Sequence, residues 1–478
     1  MRSTSLMTGV FLILAGFVQP ALAQCSPQEL AKLLASDAEA SDCFGNSVFV
    51  SGDTAVIGAY YDDHAGGTDA GSAYVFVRLG CVWTQQAKLT ASDAASGDSF
   101  GYSVAISGDT AVIGAAFDTH AGGDHAGSAY VFVRSGGVWT EQAKLTASDA
   151  AEYDAFGYSV GVSGDTAVIG AAFDTHAGGD YAGSAYVFVR SGGVWTEQAK
   201  LTASDAAGGE YFGSSVSISG DTAVIGAPYD THAGEDYAGS AYVFVYSGSA
   251  WTEQAKLTAS DAAEYDSFGY SVAVSGDTAV IGAVYDTHAG GDYAGSAYVF
   301  VRSGGVWTQQ AKLTASDAAL ADRFGISVSI SGDTAVVGAH YDDHAGGSDA
   351  GSAYVFVRSG GIWTQQAKLT ASDAAAEDGF GISVAATGDT AVIGAYQDDN
   401  AGGTDAGSAY VFDLGCSVVG DLDYDRDVDF DDFAFFAGCL NGPDVPYSVG
   451  CSAADLDEVA DCDVDLADFA RFQEAFPG

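Results

Sequence analysis

Apolar and polar positions along this chain repeat one pattern seven times. In residues 100–155, four apolar-rich runs stand between polar turns: SVAIS at 103–107, TAVIGA at 110–115, SAYVFV at 128–133 and VWTEQAKLT at 138–146. Each has the length of a strand and favours the β-branched and aromatic residues that suit a pleated surface. The two middle runs are apolar without alternation, which predicts strands covered on both faces. Gly108-Asp109 predicts a tight two-residue hairpin between the first two runs, and Ser135-Gly136-Gly137 a turn between the last two. Phe-Gly pairs beginning at Phe44, Phe100, Phe156, Phe212, Phe268, Phe324 and Phe380 mark the units, spaced 56 residues apart without insertion or deletion. Four antiparallel strands per unit, stacked face to face, predict the blades of a propeller.

The ends of the array decide between a ring and an open solenoid. The seventh unit stops after SAYVF at 408–412, and its missing fourth run stands at the other end of the chain, where AKLLASD at 31–37 aligns in frame with AKLTASD at 87–93. An N-terminal strand that completes the last blade closes the ring and removes its edges; a solenoid would want polar caps instead. The expected fold is therefore all-β, a seven-bladed propeller over residues 24–415 closed by an N-terminal strand. Cys25 lies 56 residues before Cys81, at the position a complete seventh unit would fill just after Cys416. A Cys25–Cys416 disulfide fastening the closure is expected, with two unrelated terminal cysteines as the alternative.

Composition narrows the setting. Residues 1–23 read as a secretory signal: Arg2, an apolar run from Met7 to Val18, and Ala21-Leu22-Ala23 before Gln24. The run is too short to span a bilayer, and nothing later resembles a transmembrane helix. An exported protein, secreted or held at the cell surface, is expected. The formal charge of −48 comes from 64 acidic against 16 basic residues. Such a polyanion repels nucleic acid and anionic lipid and attracts divalent cations. A hydrophobic content of 48% excludes general disorder.

FGYSVAISGDTAVIGA at 100–115, followed by GSAYVF at 127–132, resembles the FG-GAP repeat of integrin α propellers and of many bacterial surface proteins. The resemblance covers about residues 28–413 and implies a β-propeller used for recognition. Calcium-binding integrin repeats hold an acidic loop between the first two strands. Here that connection is only Ser-Gly-Asp-Thr, so blade calcium sites are not implied.

In a four-stranded blade, the second-to-third loop and the blade-to-blade loop share one face. In the second unit these are DTHAGGDHAGS at 118–128 and ASDAAEYD at 147–154. The units differ most in these loops, as at Ser96-Gly97-Asp98, Glu152-Tyr153-Asp154, Gly208-Gly209-Glu210 and Leu320-Ala321-Asp322, so a binding surface is expected there. His64, His120, His176, His232, His288 and His344 recur on that face, each two residues after an Asp, with Asn400 in the seventh unit. An Asp-x-His pair is short of a zinc ligand set, and the favoured reading is an Asp that caps backbone amides beside a packing His. The six tryptophans from Trp83 to Trp363 read as outer-strand packing rather than sugar platforms. Lys32, Lys88, Lys144, Lys200, Lys256, Lys312 and Lys368 read as guards against edge-to-edge pairing.

After Cys416 the composition changes. GDLDYDRDVDFDD places Asp421, Asp423, Asp425, Asp429 and Asp432 at positions 1, 3, 5, 9 and 12 of an EF-hand-type loop, with Asp427 offering its carbonyl at position 7. That spacing wraps hard oxygen ligands around one calcium ion. A second, degenerate loop runs through Asp457, Asp461, Asp463, Asp465 and Asp468, with Val459 at position 3; alternatively Asp455 and Asp457 lead a loop with two extra residues. Helical stripes follow each loop, Phe433, Phe436 and Leu440, then Phe469, Phe472 and Phe476. Residues 416–478 are thus expected to form a small α-helical EF-hand-like domain in which calcium supports folding. The pair resembles a type I dockerin, although Arg426 stands where glycine is preferred. The resemblance implies docking onto a cohesin-like partner. Cys439 and Cys451 flank the linker between the halves and are placed to form a local disulfide.

The leading functional expectation is a non-enzymatic binding or adhesion scaffold that recognises a protein or an extracellular polysaccharide and docks through its tail. An active site needs an asymmetric constellation, and these loops differ by modest substitutions. The alternatives are a carbohydrate-active enzyme, since dockerins are commonly fused to such enzymes, and a purely structural envelope protein.

Overall fold

The computed structural model describes residues 27–415 apart from Cys81. They form seven antiparallel four-stranded sheets, each hydrogen-bonded in sequence order within its unit. In the second blade the strands are Phe100–Ser107, Thr110–Ala115, Ser128–Ser135 and Val138–Leu145, from the centre of the ring outward. The second strand is buried at all six positions, which is why its sequence shows no alternation. Gly108 (φ 57) makes the first hairpin turn, and Gly136 (φ 57) with Gly137 (φ 82) the last.

Ring closure follows the expected route. Gln28–Leu33 pairs antiparallel with Ser408–Asp413 and becomes the outer strand of the seventh blade. Leu33 and Ala35 join a core cluster that spans the seam with Phe44, Val48, Ile57 and Val411.

The Phe-Gly pair locks one blade to the next. Phe100 is fully buried and meets Tyr130 and Phe132 edge-on, at 5.5 and 6.0 Å between ring centroids. Its cluster includes Val56, Ala73 and Val75 of the preceding blade, so the ring fills the space between sheets. Burying one such side chain contributes about 1.5–3 kcal/mol. Gly101 (φ 94) crosses the preceding blade so closely that a Cβ would lie 2.2 Å from the Ser72 carbonyl oxygen. Only glycine fits that crossing. Among the described residues, no helix is long and apolar enough to cross a membrane.

Candidate functional site

The long loops of each blade pack on the connection to the next blade, on one face of the ring. The Phe100 amide donates to the Ala70 carbonyl and the Gly97 amide to that of Thr68. Beneath this face lies a polar cluster repeated in all seven blades. Lys144 Nζ reaches Asp93 at 2.7 Å and Asp118 at 2.8 Å, and lies 5.1 Å from the centre of the Tyr130 ring. The Tyr130 hydroxyl donates to Asp93 at 2.8 Å, and the Ser128 hydroxyl to buried Asp118. Asp93 belongs to the connection from the preceding blade, so the lysine ties neighbouring blades together. This corrects the edge-guard reading of the lysines: the carboxylates draw each ammonium onto its own blade junction. Burial opposes the charge on Lys144, but the hydrogen bonds it donates to both aspartates outweigh that and raise its pKa.

A second acid lies buried beside each cluster. Asp98 accepts the Ala95 amide at 2.7 Å, and its counterparts do the same one blade apart. Burial, reinforced by the neighbouring aspartate, raises the pKa of Asp42, Asp154, Asp266, Asp322 and Asp378 to about 6, and that of Glu210 to about 7.

The recurring histidines are structural, and in more detail than packing alone. Gly122 N–H donates to His120 Nδ1 at 2.9 Å, which fixes Nε2 as the donor to the Gly127 carbonyl at 3.0 Å. Asn400 reproduces both bonds with its amide, accepting from Gly402 and donating to Gly407. The aspartate two residues earlier serves the lysine cluster rather than capping backbone amides. The fourth blade departs from the pattern. The position of Gly123 (φ 150) is Glu235, a residue that resists such a dihedral. The turn instead takes Ala233 (φ 55) and Gly234 (φ 91), and His232 Nδ1 loses the glycine amide, with only the Asp230 carboxylate 3.5 Å away. Among the described residues, no three His, Cys, Asp or Glu side chains gather to hold a metal.

The tryptophans are structural latches. The Trp139 indole N–H donates to Gln86 of the preceding blade at 2.8 Å, and the Arg134 guanidinium lies 5.3 Å from the Trp139 ring centre. Gln86 is the bulged residue of its outer strand. On the closing strand the bulged position is Leu30, and Trp83 Nε1 is buried without a partner.

What varies around this repeating frame is aromatic. Tyr181, Tyr237 and Tyr293 occupy one loop position in blades three to five, at φ 56–57. The same position is Asp69, Asp349 or Asp405 in the first, sixth and seventh blades and His125 in the second, residues that tolerate left-handed backbone far better than tyrosine. Tyr153 (φ 68) and Tyr265 (φ 70) stand on the blade connections where Gly97 and Gly209 stand in other units. All five are about half exposed. A strained backbone carrying large exposed side chains points to a role outside folding.

Of these rings, Tyr181, Tyr237 and Tyr265 converge beside the third, fourth and fifth blades, whereas Tyr153 meets His125 and Tyr293 meets Tyr285. Tyr181 stacks on Tyr211 and Tyr237 on Tyr265, at 6.2 and 5.6 Å. Between them opens a cavity of 660 Å³ lined by Tyr158, Tyr229, Tyr270 and Tyr285, with Pro228 on its wall. Ser214 takes the inner-strand position that is tyrosine in the second, third and fifth blades, and Ser267 adds a second small wall residue. The loops therefore differ more than modestly. The sequence comparison between units located the variable loops but missed this cluster; the signal is the column of Tyr181, Tyr237 and Tyr293 at 56-residue spacing.

The proposed calcium ligands Asp421, Asp423, Asp425, Asp427, Asp429, Asp432, Asp457, Asp461, Asp463, Asp465 and Asp468 lie outside the described residues, as do the signal segment and Cys25, Cys416, Cys439 and Cys451.

The FG-GAP repeat family matches at seven segments: residues 27–76, 83–132, 139–188, 195–244, 251–300, 307–356 and 363–412. No curated protein matches the chain. Among solved structures, a chain in a crystal structure of a mitotic checkpoint complex is similar at 12% identity and a TM-score of 0.49, covering 84% of this chain and 98% of its own.

Proposed function

Because the chain belongs to the FG-GAP repeat family, we propose that it is an exported recognition scaffold without catalytic activity, which binds a protein or glycan ligand through the long-loop face. The observation that carries this reading is the set of exposed tyrosines held on left-handed backbone in the middle blades. Folding alone favours aspartate, asparagine or glycine there. The carboxylates beneath that face support a binding role over hydrolysis, because Asp118 and its counterparts are taken up by lysine and serine partners.

The acidic tail has the second role. Asp421, Asp423, Asp425, Asp427, Asp429 and Asp432 bind one calcium ion, and the weaker loop of Asp457, Asp461, Asp463, Asp465 and Asp468 a second. The folded tail then docks onto a cohesin-like or other surface partner. The loop spacing and the paired aromatic stripes support this.

The test is a pull-down from extracellular protein and polysaccharide fractions, with calcium and with EDTA. Tyr237→Asn with Tyr265→Asn should remove the partners held by the propeller and spare those held by the tail. EDTA should do the reverse. Retention of every partner by the double variant would end the loop-face reading.

A further inference from the structure

We infer that the tyrosine-lined cavity takes an organic cation, a guanidinium or ammonium group presented by a basic segment of a partner protein. The inference rests on the loop-face reading above and names the chemistry of its ligand.

The chain itself displays the mode of binding one blade away. Arg323 precedes the sixth Phe-Gly pair, at φ 57, and its guanidinium lies 4.4 Å from the centre of the Tyr341 ring and 5.4 Å from that of Tyr285. Two tyrosines of neighbouring blades thus hold a planar cation between them. In the fourth blade the same chain position is Tyr211, whose ring meets Phe173 and Tyr229 at 5.3 and 5.2 Å. In the fifth blade it is Ser267, with nearly the same backbone (φ 54), standing between Tyr229 and Tyr285. A hydroxymethyl group is too small to occupy the notch that a guanidinium or a phenol occupies in the flanking blades. The cavity opens there.

Charge selects the occupant. No lysine, arginine or histidine lines the cavity, while Glu235, Asp236, Glu264 and Asp292 stand in the loops that carry Tyr237, Tyr265 and Tyr293. The whole chain carries a formal charge of −48. An anion is repelled by these groups, whereas a cation gains both from them and from the ring faces.

The test uses the full chain and a capped peptide with one arginine among neutral residues, with calorimetry as the readout. A matched peptide carrying citrulline keeps the shape and removes the charge, and a trimethyllysine peptide distinguishes ammonium from guanidinium. The arginine or the trimethyllysine peptide should bind, and citrulline should bind at least about tenfold more weakly than arginine where guanidinium is the preferred cation. Ser267→Arg should fill the notch from within, as Arg323 does next door, and weaken binding about tenfold or more. Ser247→Arg adds the same charge on an exposed turn of the opposite face and should change affinity less than about twofold. Equal weakening by both variants would reduce the effect to bulk charge and overturn the inference. So would binding of citrulline as strong as that of both cations, failure of both cationic peptides to bind, or a neutral oligosaccharide held in the cavity and displaced by Ser267→Arg. The oligosaccharide result would leave the loop-face reading standing, which fails only if the Tyr237 and Tyr265 variants keep all their partners.

Discussion

Replacing Leu30 with glutamine should stabilise the propeller at the seam where the ring closes. Five tryptophans, from Trp139 to Trp363, donate their indole N–H to a glutamine on the preceding blade at 2.8–2.9 Å. Trp83 alone faces the closing strand, where Leu30 takes the glutamine's place, and its Nε1 is buried without a partner. A buried donor left unpaired costs about 1–3 kcal/mol. Leu30 is 44% exposed, so exchanging it gives up only part of the ~2 kcal/mol that a fully buried leucine supplies. The net expectation is a gain of about 1 kcal/mol, seen as a rise of about 1–3 °C in Tm and a higher urea midpoint at unchanged slope. The mirror experiment, Gln86→Leu, should strip Trp139 of its partner and cost about 1–2 kcal/mol. A Trp83→Phe background separates the hydrogen bond from any general effect of a polar residue on that strand, because Leu30→Gln should then contribute nothing. Equal stabilisation in both backgrounds, or none in the native one, would refute the latch account of the tryptophans.

Thermal stability should peak near pH 4 and fall as pH rises from about 4 to 6. Burial raises Asp42, Asp154, Asp266, Asp322 and Asp378 to about 6, so the folded state holds their protons more tightly than the unfolded chain, and that stability is lost as pH rises through 6. Burial also opposes the charge on Asp93, Asp149 and Asp205, but lysine and tyrosine hydrogen bonds outweigh it and lower their pKa values; their contribution is present above pH 4 and lost as pH falls further. A melting series from pH 3 to 8 with no maximum would contradict this pairing of acids. Lys200→Met should cost about 3 kcal/mol in urea unfolding at pH 7, since it leaves Asp174 buried without its cation. Glu235→Gly should restore the turn of the other blades and give His232 Nδ1 its amide partner, for a gain of about 1 kcal/mol by the same assay.

Ring topology, blade limits and the completing N-terminal strand were legible because they depend on periodicity, and a 56-residue period survives in the sequence without error. The roles of the lysines were not legible. Lys144 and Asp93 are 51 residues apart and meet only because successive blades stack. A sequence read one unit at a time cannot place a side chain against the next unit. The histidine loop was half legible. Its local spacing suggested structure, but the bond from Gly122 to Nδ1 emerges only with the turn in place. Asn400 is the residue that explains the rest, since an amide and a neutral imidazole share one donor and one acceptor at similar reach.

In a repeat this regular, residues shared by all units and residues that depart from them serve different ends. A residue present in all seven units serves the frame, because the frame is what all seven share: Phe100, Gly101, Lys144 and Tyr130 each have a packing or ion-pair role that recurs around the ring. Function must then lie in departures, and those come in two kinds. Leu30 and Glu235 leave a polar atom unpaired, so they weaken the frame and create nothing around them. Tyr181, Tyr237 and Tyr265 accept strained backbone; Tyr237 and Tyr265 line a 660 Å³ cavity, and Tyr181 stacks on its wall residue Tyr211. Replacing Tyr181 by Asn should therefore separate folding from binding. Asparagine relieves the left-handed backbone at φ 57, worth about 1 kcal/mol, which offsets the loss of one stacked, half-exposed ring of similar worth. Urea unfolding should change by less than about 0.5 kcal/mol, while retention of loop-face partners falls. A loss of 2 kcal/mol or more in stability would return the tyrosines to the frame.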